Sequence, residues 1–292
     1  MKRRDILKAT ALAGATLAVG CSTKKEIAEG SVFSATNTLK NKVNHSACRW
    51  CYSSIPLEEL CESAQELGLK SIELLDPKEW DTAIRYGLTC AISNGSPLHI
   101  TKGFNDYKYH DQLYSEYEEL IPKAADKGIN QIIVFSGNRN GIDDKTGLEN
   151  CAVGLDKLVR IAERYDVKLV MELLNSKVDH IDYMCDRTSW GVALAEKLGS
   201  EGFSLLYDIY HMQIMEGDVI RTIQNNHQYI SHYHTGGVPG RHEINETQEL
   251  NYKAIIQSIV NTGYDGYIAQ EFIPTRPDPI SSLKEGVMIC DV

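Results

Sequence analysis

The sequence predicts a single (β/α)8 barrel, an α/β TIM barrel, over residues 43–292. Short apolar runs alternate repeatedly with longer amphipathic segments from Val43 onward, giving eight strand candidates. The alternation fills about 250 residues, the usual size of such a barrel. No Gly-x-Gly-x-x-Gly follows the first strand, which counts against the rival doubly wound dinucleotide fold. No change of composition divides residues 43–292, so one domain suffices.

The elements follow in order. Val43–Cys48 reads as the first strand, and Ser54-Ile55-Pro56-Leu57-Glu58 opens the first helix with a Ser cap and a Pro in its first turn. Further strands are expected at Ser71–Leu75, Leu88–Ser93, Gln131–Phe135, Lys168–Glu172, Ser204–Asp208, Ile230–His234 and Tyr267–Glu271. Tyr252–Thr262 reads as a helix stopped by Gly263.

Residues 1–42 stand apart. Lys2, Arg3 and Arg4 precede an apolar run of small residues from Ala9 to Gly20, which is too short to span a bilayer and ends at Cys21. That is the layout of an export signal rather than of a buried helix. Arg3-Arg4-Asp5-Ile6-Leu7-Lys8 resembles the twin-arginine export motif, and Leu17-Ala18-Val19-Gly20-Cys21 resembles a bacterial lipoprotein cleavage box. The resemblance implies cleavage before Cys21, a lipid anchor on that cysteine, and a periplasmic or periplasm-facing membrane location. Residues 22–42 are rich in Ser, Thr, Asn, Lys and Glu without apolar periodicity, and read as a tether.

Composition narrows the partners. An apolar share of 42 % excludes a disordered chain, and eight cysteines are too few for a disulfide scaffold. The net charge is −10; without residues 1–20 it becomes −13, from 26 basic and 39 acidic residues. Such a surface does not suit general nucleic-acid binding, which relies on clustered Lys and Arg. A small-molecule substrate is the expected partner, with a homo-oligomer left open.

Four consecutive strands end on polar groups: Glu172, Asp208, His234 and Glu271. In a barrel these ends converge on one mouth. Three carboxylates in one cleft repel unless a cation lies among them. Oxygen donors with one imidazole suit one divalent ion, Mn²⁺ or Mg²⁺ first and Co²⁺ or Zn²⁺ after them. Singly, each carboxylate reads equally well as a helix cap, and the histidine as a packing residue. Four at equivalent positions favour the metal.

His211 follows Asp208 by three residues, and Arg241 follows His234 by seven. The intervening Gly236-Gly237 and Pro239-Gly240 imply a tight loop able to approach a ligand closely. Arg241 could grip a carboxylate or hydroxyl pair. Taken alone it could equally form a surface ion pair with Glu243 or Glu246.

The segments Met171-Glu172-Leu173-Leu174-Asn175, Tyr207-Asp208-Ile209-Tyr210-His211-Met212-Gln213, Val238-Pro239-Gly240-Arg241-His242-Glu243 and Gln270-Glu271-Phe272-Ile273-Pro274 resemble the hydroxypyruvate isomerase family. That family belongs to the xylose-isomerase-like barrels, which also include ketose 3-epimerases and an endonuclease branch. The resemblance implies that Glu172, Asp208, His234 and Glu271 hold one divalent metal. It implies Glu172 and Glu271 as the catalytic acid/base pair, with His211 and Arg241 on substrate oxygens. The sequence departs from the pattern twice. His234 stands where hydroxypyruvate isomerases typically carry Gln and epimerases His, and Val178 stands where epimerases carry a second Glu.

The implied chemistry begins with removal of a proton next to a carbonyl of a small hydroxyketone or sugar. Isomerisation, epimerisation or elimination can follow, and a 3-keto-glycoside is a rival substrate. The competing classes are a thiol-redox protein, from Cys48-Arg49-Trp50-Cys51, a DNA-repair nuclease and a sugar-binding lipoprotein. Glu73, Lys177, Trp50 and Phe104 are candidates to line the pocket, while His99, His110, His180, His227 and His242 carry no assignment.

Overall fold

The computed structural model describes residues 39–292, and the export signal at 1–21 and most of the tether lie outside the described residues. Seven strands are assigned: β1 Asn44–Cys48, β2 Ser71–Glu73, β3 Gln131–Val134, β4 Lys168–Leu173, β5 Phe203–Asp208, β6 Ile230–Thr235 and β7 Tyr267–Gln270. All pair in parallel, in the order β2-β1-β7-β6-β5-β4-β3. Helices α1 (Leu57–Glu66), α2 (Trp80–Arg85), α3 (His110–Asp126), α4 (Asp144–Arg164), α5 (Thr188–Leu198), α6 (Ile209–Met215), α7 (Val219–Asn226), α8 (Tyr252–Val260) and α9 (Pro279–Cys290) lie between and after the strands.

The expected strand Leu88–Ser93 takes the eighth position without forming a continuous strand. It joins the two ends of the sheet: Ile72 N donates to Thr89 O over 3.2 Å, and Ser93 N to Gln131 O over 2.9 Å. Its ladder is interrupted because side chains take part. Ala91 N donates to Ser71 Oγ (2.9 Å) and the Cys90 thiol to Ile92 O (3.2 Å).

Two helix ends also differ from expectation. Ser54 does not cap α1; Pro56 holds the cap position without a side-chain bond, after a short 3-10 turn at Arg49–Tyr52. Helix α8 starts at an Asn251 cap and stops at Val260, with Gly263 following at φ +86°.

The main core fills the space between strands and helices, where Leu60, Ile72, Tyr117, Leu155 and Ile256 are buried. A smaller cluster of Ile92, Ile133, Val170 and Leu206 packs separately. Side chains two apart on a strand share a face. Glu172 follows Val170 by two and Asp208 follows Leu206 by two, so each stands on the same face, one step nearer the C-terminal mouth. Among the described residues, no helix is long and apolar enough to cross a membrane.

Candidate active site

The four expected ligands come together. One donor atom from each of Glu172, Asp208, His234 and Glu271 lies within 4.8 Å of the other three, and all four residues are buried. His234 Nδ1 is 2.8 Å from Glu271 Oε2 and 3.5 Å from Glu172 Oε1. Glu172 Oε1 is buried yet has no hydrogen-bond partner. A carboxylate oxygen left without a donor costs desolvation free energy that a bound cation would offset. Three carboxylates and one imidazole form a donor set that fits a hard divalent ion.

Asp208 serves as cap and candidate ligand together. Its Oδ1 accepts from Tyr210 N (2.8 Å) and His211 N (3.3 Å) at the start of α6. Its Oδ2 is left for the site, 3.2 Å from an Arg241 nitrogen and 3.5 Å from His211 Nε2.

Arg241 reaches Glu271 as well as Asp208, rather than Glu243 or Glu246. Its guanidinium lies between the rings of Trp50 (5.2 Å) and Tyr210 (5.3 Å), so cation–π attraction adds to the ion pairs. The Gly-Gly loop approaches its own chain, not an open ligand space: a Cβ on Gly237 would stand 2.4 Å from Glu243 O. Gly237 N donates to His242 O (2.8 Å), closing a turn in which Arg241 itself adopts φ +59°. A non-glycine residue in that region is strained, and here the turn aims the guanidinium inward.

His211 is fully buried, and its Nε2 has no hydrogen-bond partner. Asn175 fixes its proton. Asn175 Oδ1 accepts from Val178 N (3.0 Å) and Asp179 N (2.9 Å), so its amide nitrogen must face Asp179 and His211 Nδ1 (2.6 Å). Nδ1 accepts, and Nε2 carries the hydrogen toward the site.

The environments push the titratable groups apart. Burial, reinforced by the Glu271 charge, holds the Glu172 carboxyl above its usual range. Burial pushes Glu271 the same way, but Arg241, His234 and the Trp50 N–H outweigh it and hold Glu271 well below. Burial lifts Asp208 well above, against the opposing charge of Arg241. Burial, joined by Arg241, keeps His211 well below its ordinary value and therefore neutral.

Residues of lesser expectation sort clearly. Trp50 is in the site, donating its indole N–H to Glu271 Oε1 over 2.8 Å. Glu73 is fully buried, 2.8 Å from His234 Nε2 and 2.7 Å from His232 Nε2. Burial would raise its carboxyl, but the two imidazoles hold it down to about 2. His232 is a participant the motif reading missed, although its spacing of two from His234 puts it on the same strand face. Asn175 closes the segment Met171-Glu172-Leu173-Leu174-Asn175, which carries no signal of its contact with His211. Lys177 is drawn away to the carbonyls of Ile214 and Met215, and Phe104 is fully buried against Tyr117. Val178 is 63 % exposed, so it does not occupy a second-carboxylate position in the site.

The other classes find little support. Cys48 and Cys51 are free thiols whose pKa burial pushes well up, the reverse of a reactive redox pair. Among the described residues, every candidate ligand group includes His234, and the ends at Ser93 and Phe135 add none.

Residues 61–288 match the family model described as xylose isomerase-like TIM barrel. A 2-oxo-tetronate isomerase of Cupriavidus necator is 29 % identical over 222 residues, covering 71 % of this chain and 83 % of that protein. A hydroxypyruvate isomerase of Escherichia coli is 30 % identical over 118 residues, covering 38 % of this chain and 45 % of that protein. The solved structure of an AP endonuclease, family 2, from Brucella melitensis superposes with a TM-score of 0.75 at 22 % identity, over 82 % of this chain and 96 % of that one. At that identity the likeness is one of fold.

Proposed function

The chain belongs to the xylose isomerase-like TIM barrel family, and from that premise we propose a divalent-metal-dependent isomerase that removes a proton next to a carbonyl of a small hydroxyketone or sugar. The two relatives named as isomerases support this class of reaction. The observation that carries it is the pair Glu172 and Glu271, buried in one cleft with carboxyl pKa values pushed in opposite directions. Such a split divides acid and base roles between two like groups.

Glu172 has the unengaged oxygen and the raised pKa, which places it to take a proton and return it. Glu271 stays ionised under Arg241, His234 and Trp50 and serves as the second carboxylate. His211 offers Nε2–H, and Arg241 its guanidinium, to substrate oxygens. Glu172, Asp208, His234 and Glu271 would hold the ion. When bound, the ion would polarise the carbonyl and stabilise the negative charge of the enediolate.

His234 in place of Gln favours an epimerase-type ligand set, whereas Val178 at an exposed position does not supply that reaction's second Glu. A Mn²⁺- or Mg²⁺-supplemented screen of hydroxypyruvate, ketoses and 3-keto-glycosides, following solvent deuterium uptake beside the carbonyl, tests the shared first step. Uptake that a chelator abolishes supports the proposal. Uptake undiminished in both Glu172→Gln and Glu271→Gln overturns it. Residues 1–21 extend the proposal to export with a lipid anchor at Cys21, which the mass of the mature N-terminal peptide decides.

A further inference from the structure

The structure assigns a positioning role to Glu73, a carboxylate outside the ligand group: it fixes which nitrogen of His234 faces Glu172, Asp208 and Glu271. The inference rests on the metal reading above. Glu73 ends β2, which is separated from β6 in the sheet by β1 and β7, and its side chain spans that gap through the barrel interior. Its Oε1 is 2.8 Å from His234 Nε2, 2.7 Å from His232 Nε2 and 3.8 Å from Cys48 Sγ, and all four residues are buried with no exposed side-chain surface.

An ionised carboxylate only accepts, so both imidazoles turn an N–H toward that oxygen. His234 is thereby held with Nε2 protonated and directed away from the ligand group. Nδ1 is the nitrogen left facing it, toward Glu271 Oε2 and Glu172 Oε1. With Glu271 ionised 2.8 Å away, Nδ1 also carries a hydrogen while no cation is present, and it is the one ring nitrogen that, on giving up that hydrogen, could serve a cation among those carboxylates. His232 ties the same oxygen from the same strand face, so the carboxylate cannot rotate without losing both bonds.

Nothing in the family pattern or the spacing of the four ligands requires this residue; the distances do. Carboxylates that hold the second N–H of a ligating histidine typically raise metal affinity, and their loss costs about 10–100-fold. A competing use of the same atoms is a second cation held by Glu73, His232 and His234. Glu73 Oε2 is buried without a partner and could serve it, but both imidazoles would have to give up the Nε2 hydrogens they direct at Oε1.

Mn²⁺ titration of the full chain, as wild type, Glu73→Gln, Glu73→Ala and Asp208→Asn, decides the matter, with thermal unfolding in chelator as the folding control. One Mn²⁺ per wild-type chain is expected, with affinity reduced about 10-fold in Glu73→Gln, which keeps an acceptor oxygen, and up to about 100-fold in Glu73→Ala. Long-range ¹H–¹⁵N spectra of histidine-labelled protein, taken with saturating diamagnetic Mg²⁺, should show the hydrogen on Nε2 and none on Nδ1 for His234 in wild type, and a loss of that pattern in Glu73→Ala. Wild-type affinity in both Glu73 variants overturns the inference. Two ions per wild-type chain falling to one in Glu73→Ala also overturns it, because Glu73 is then itself a ligand. If wild type binds no Mn²⁺ the metal reading fails separately, and an Nδ1–H pattern in the wild-type spectrum overturns the positioning role on its own.

Discussion

Arg241 places one guanidinium nitrogen 3.2 Å from Oδ2 of Asp208, and the same nitrogen also reaches Oε2 of Glu271. The arginine is 13 % exposed and the two carboxyl groups essentially buried, so one cation faces two candidate metal ligands, holding Glu271 ionised while burial keeps the Asp208 carboxyl raised. Removing one partner of a buried ion pair typically costs about 3–5 kcal/mol. Arg241→Ala should therefore lose about 3 kcal/mol in chelator, a fall in Tm on the order of 5–10 °C. Saturating Mn²⁺ should restore much of it by supplying the missing positive charge. Scanning calorimetry with and without Mn²⁺ reads both numbers, and equal stability of variant and wild type in chelator would show that the pair is not ionised.

Glu172 and Glu271 share the ligand role and differ in how they handle the proton. General acid–base groups typically contribute 10²–10⁴-fold in rate. Glu172→Gln should weaken Mn²⁺ binding, because Glu172 is one of the four ligands, and should still lower kcat by about that factor once Mn²⁺ is saturating, because the amide cannot take the proton. Glu271→Gln should lower kcat and Mn²⁺ affinity together, since Glu271 also accepts from His234 and Trp50. Steady-state kinetics on whichever compound exchanges deuterium checks the contrast.

Much of this site was legible in the sequence because strands expose a period of two. Glu172, Asp208, His234 and Glu271 stand at successive strand ends, so their convergence followed from the barrel alone. Glu73 and Asn175 were harder, because they act through other side chains: one through His234 Nε2 and the other through His211 Nδ1. Such pairings join residues about 160 and 36 positions apart and leave no local spacing signal. The apolar pattern at 88–93 is that of a regular strand, and the side-chain bonds that interrupt its ladder, Ala91 N to Ser71 Oγ and Cys90 Sγ to Ile92 O, leave no mark in that pattern.

Glu243 ties the loop that carries Arg241 to the C-terminal segment. It accepts from Thr275 N (2.8 Å), Thr275 Oγ1 (2.9 Å) and Ser282 Oγ (2.7 Å). Burial would raise its carboxyl, but those donors outweigh it and bring the pKa from 4.5 to about 2. A depressed folded-state pKa stabilises above the unfolded value and is lost on acidification. The contribution is thus complete above about pH 5 and fades toward pH 2, with a ceiling of about 3 kcal/mol. Denaturant unfolding of Glu243→Gln should show a deficit of about 2–3 kcal/mol at pH 7 that shrinks to a few tenths by pH 2. A deficit independent of pH would assign the effect to packing instead.

Asn175 governs His211 without facing the substrate. Its Oδ1 is saturated by Val178 N and Asp179 N, so its amide donates to His211 Nδ1 and leaves Nε2–H as the ring's only donor. Asn175→Ala removes that donor and lets the ring carry its hydrogen on either nitrogen. About 1–1.5 kcal/mol of preference should disappear, a fall of about 10-fold in kcat/KM, with Mn²⁺ affinity unchanged because His211 is not among the four ligands. Asn175→Asp should differ in kind: its oxygens accept only, so His211 must place a hydrogen on Nδ1. The ring would then meet the substrate either as an imidazolium, which burial and Arg241 both disfavour, or with a bare Nε2. The Asp variant should therefore be slower than the Ala variant at neutral pH and recover activity as pH falls and the imidazolium forms. A pH profile of kcat/KM for both variants, beside Mn²⁺ titration, separates this from simple loss of the loop, which would slow both equally at every pH.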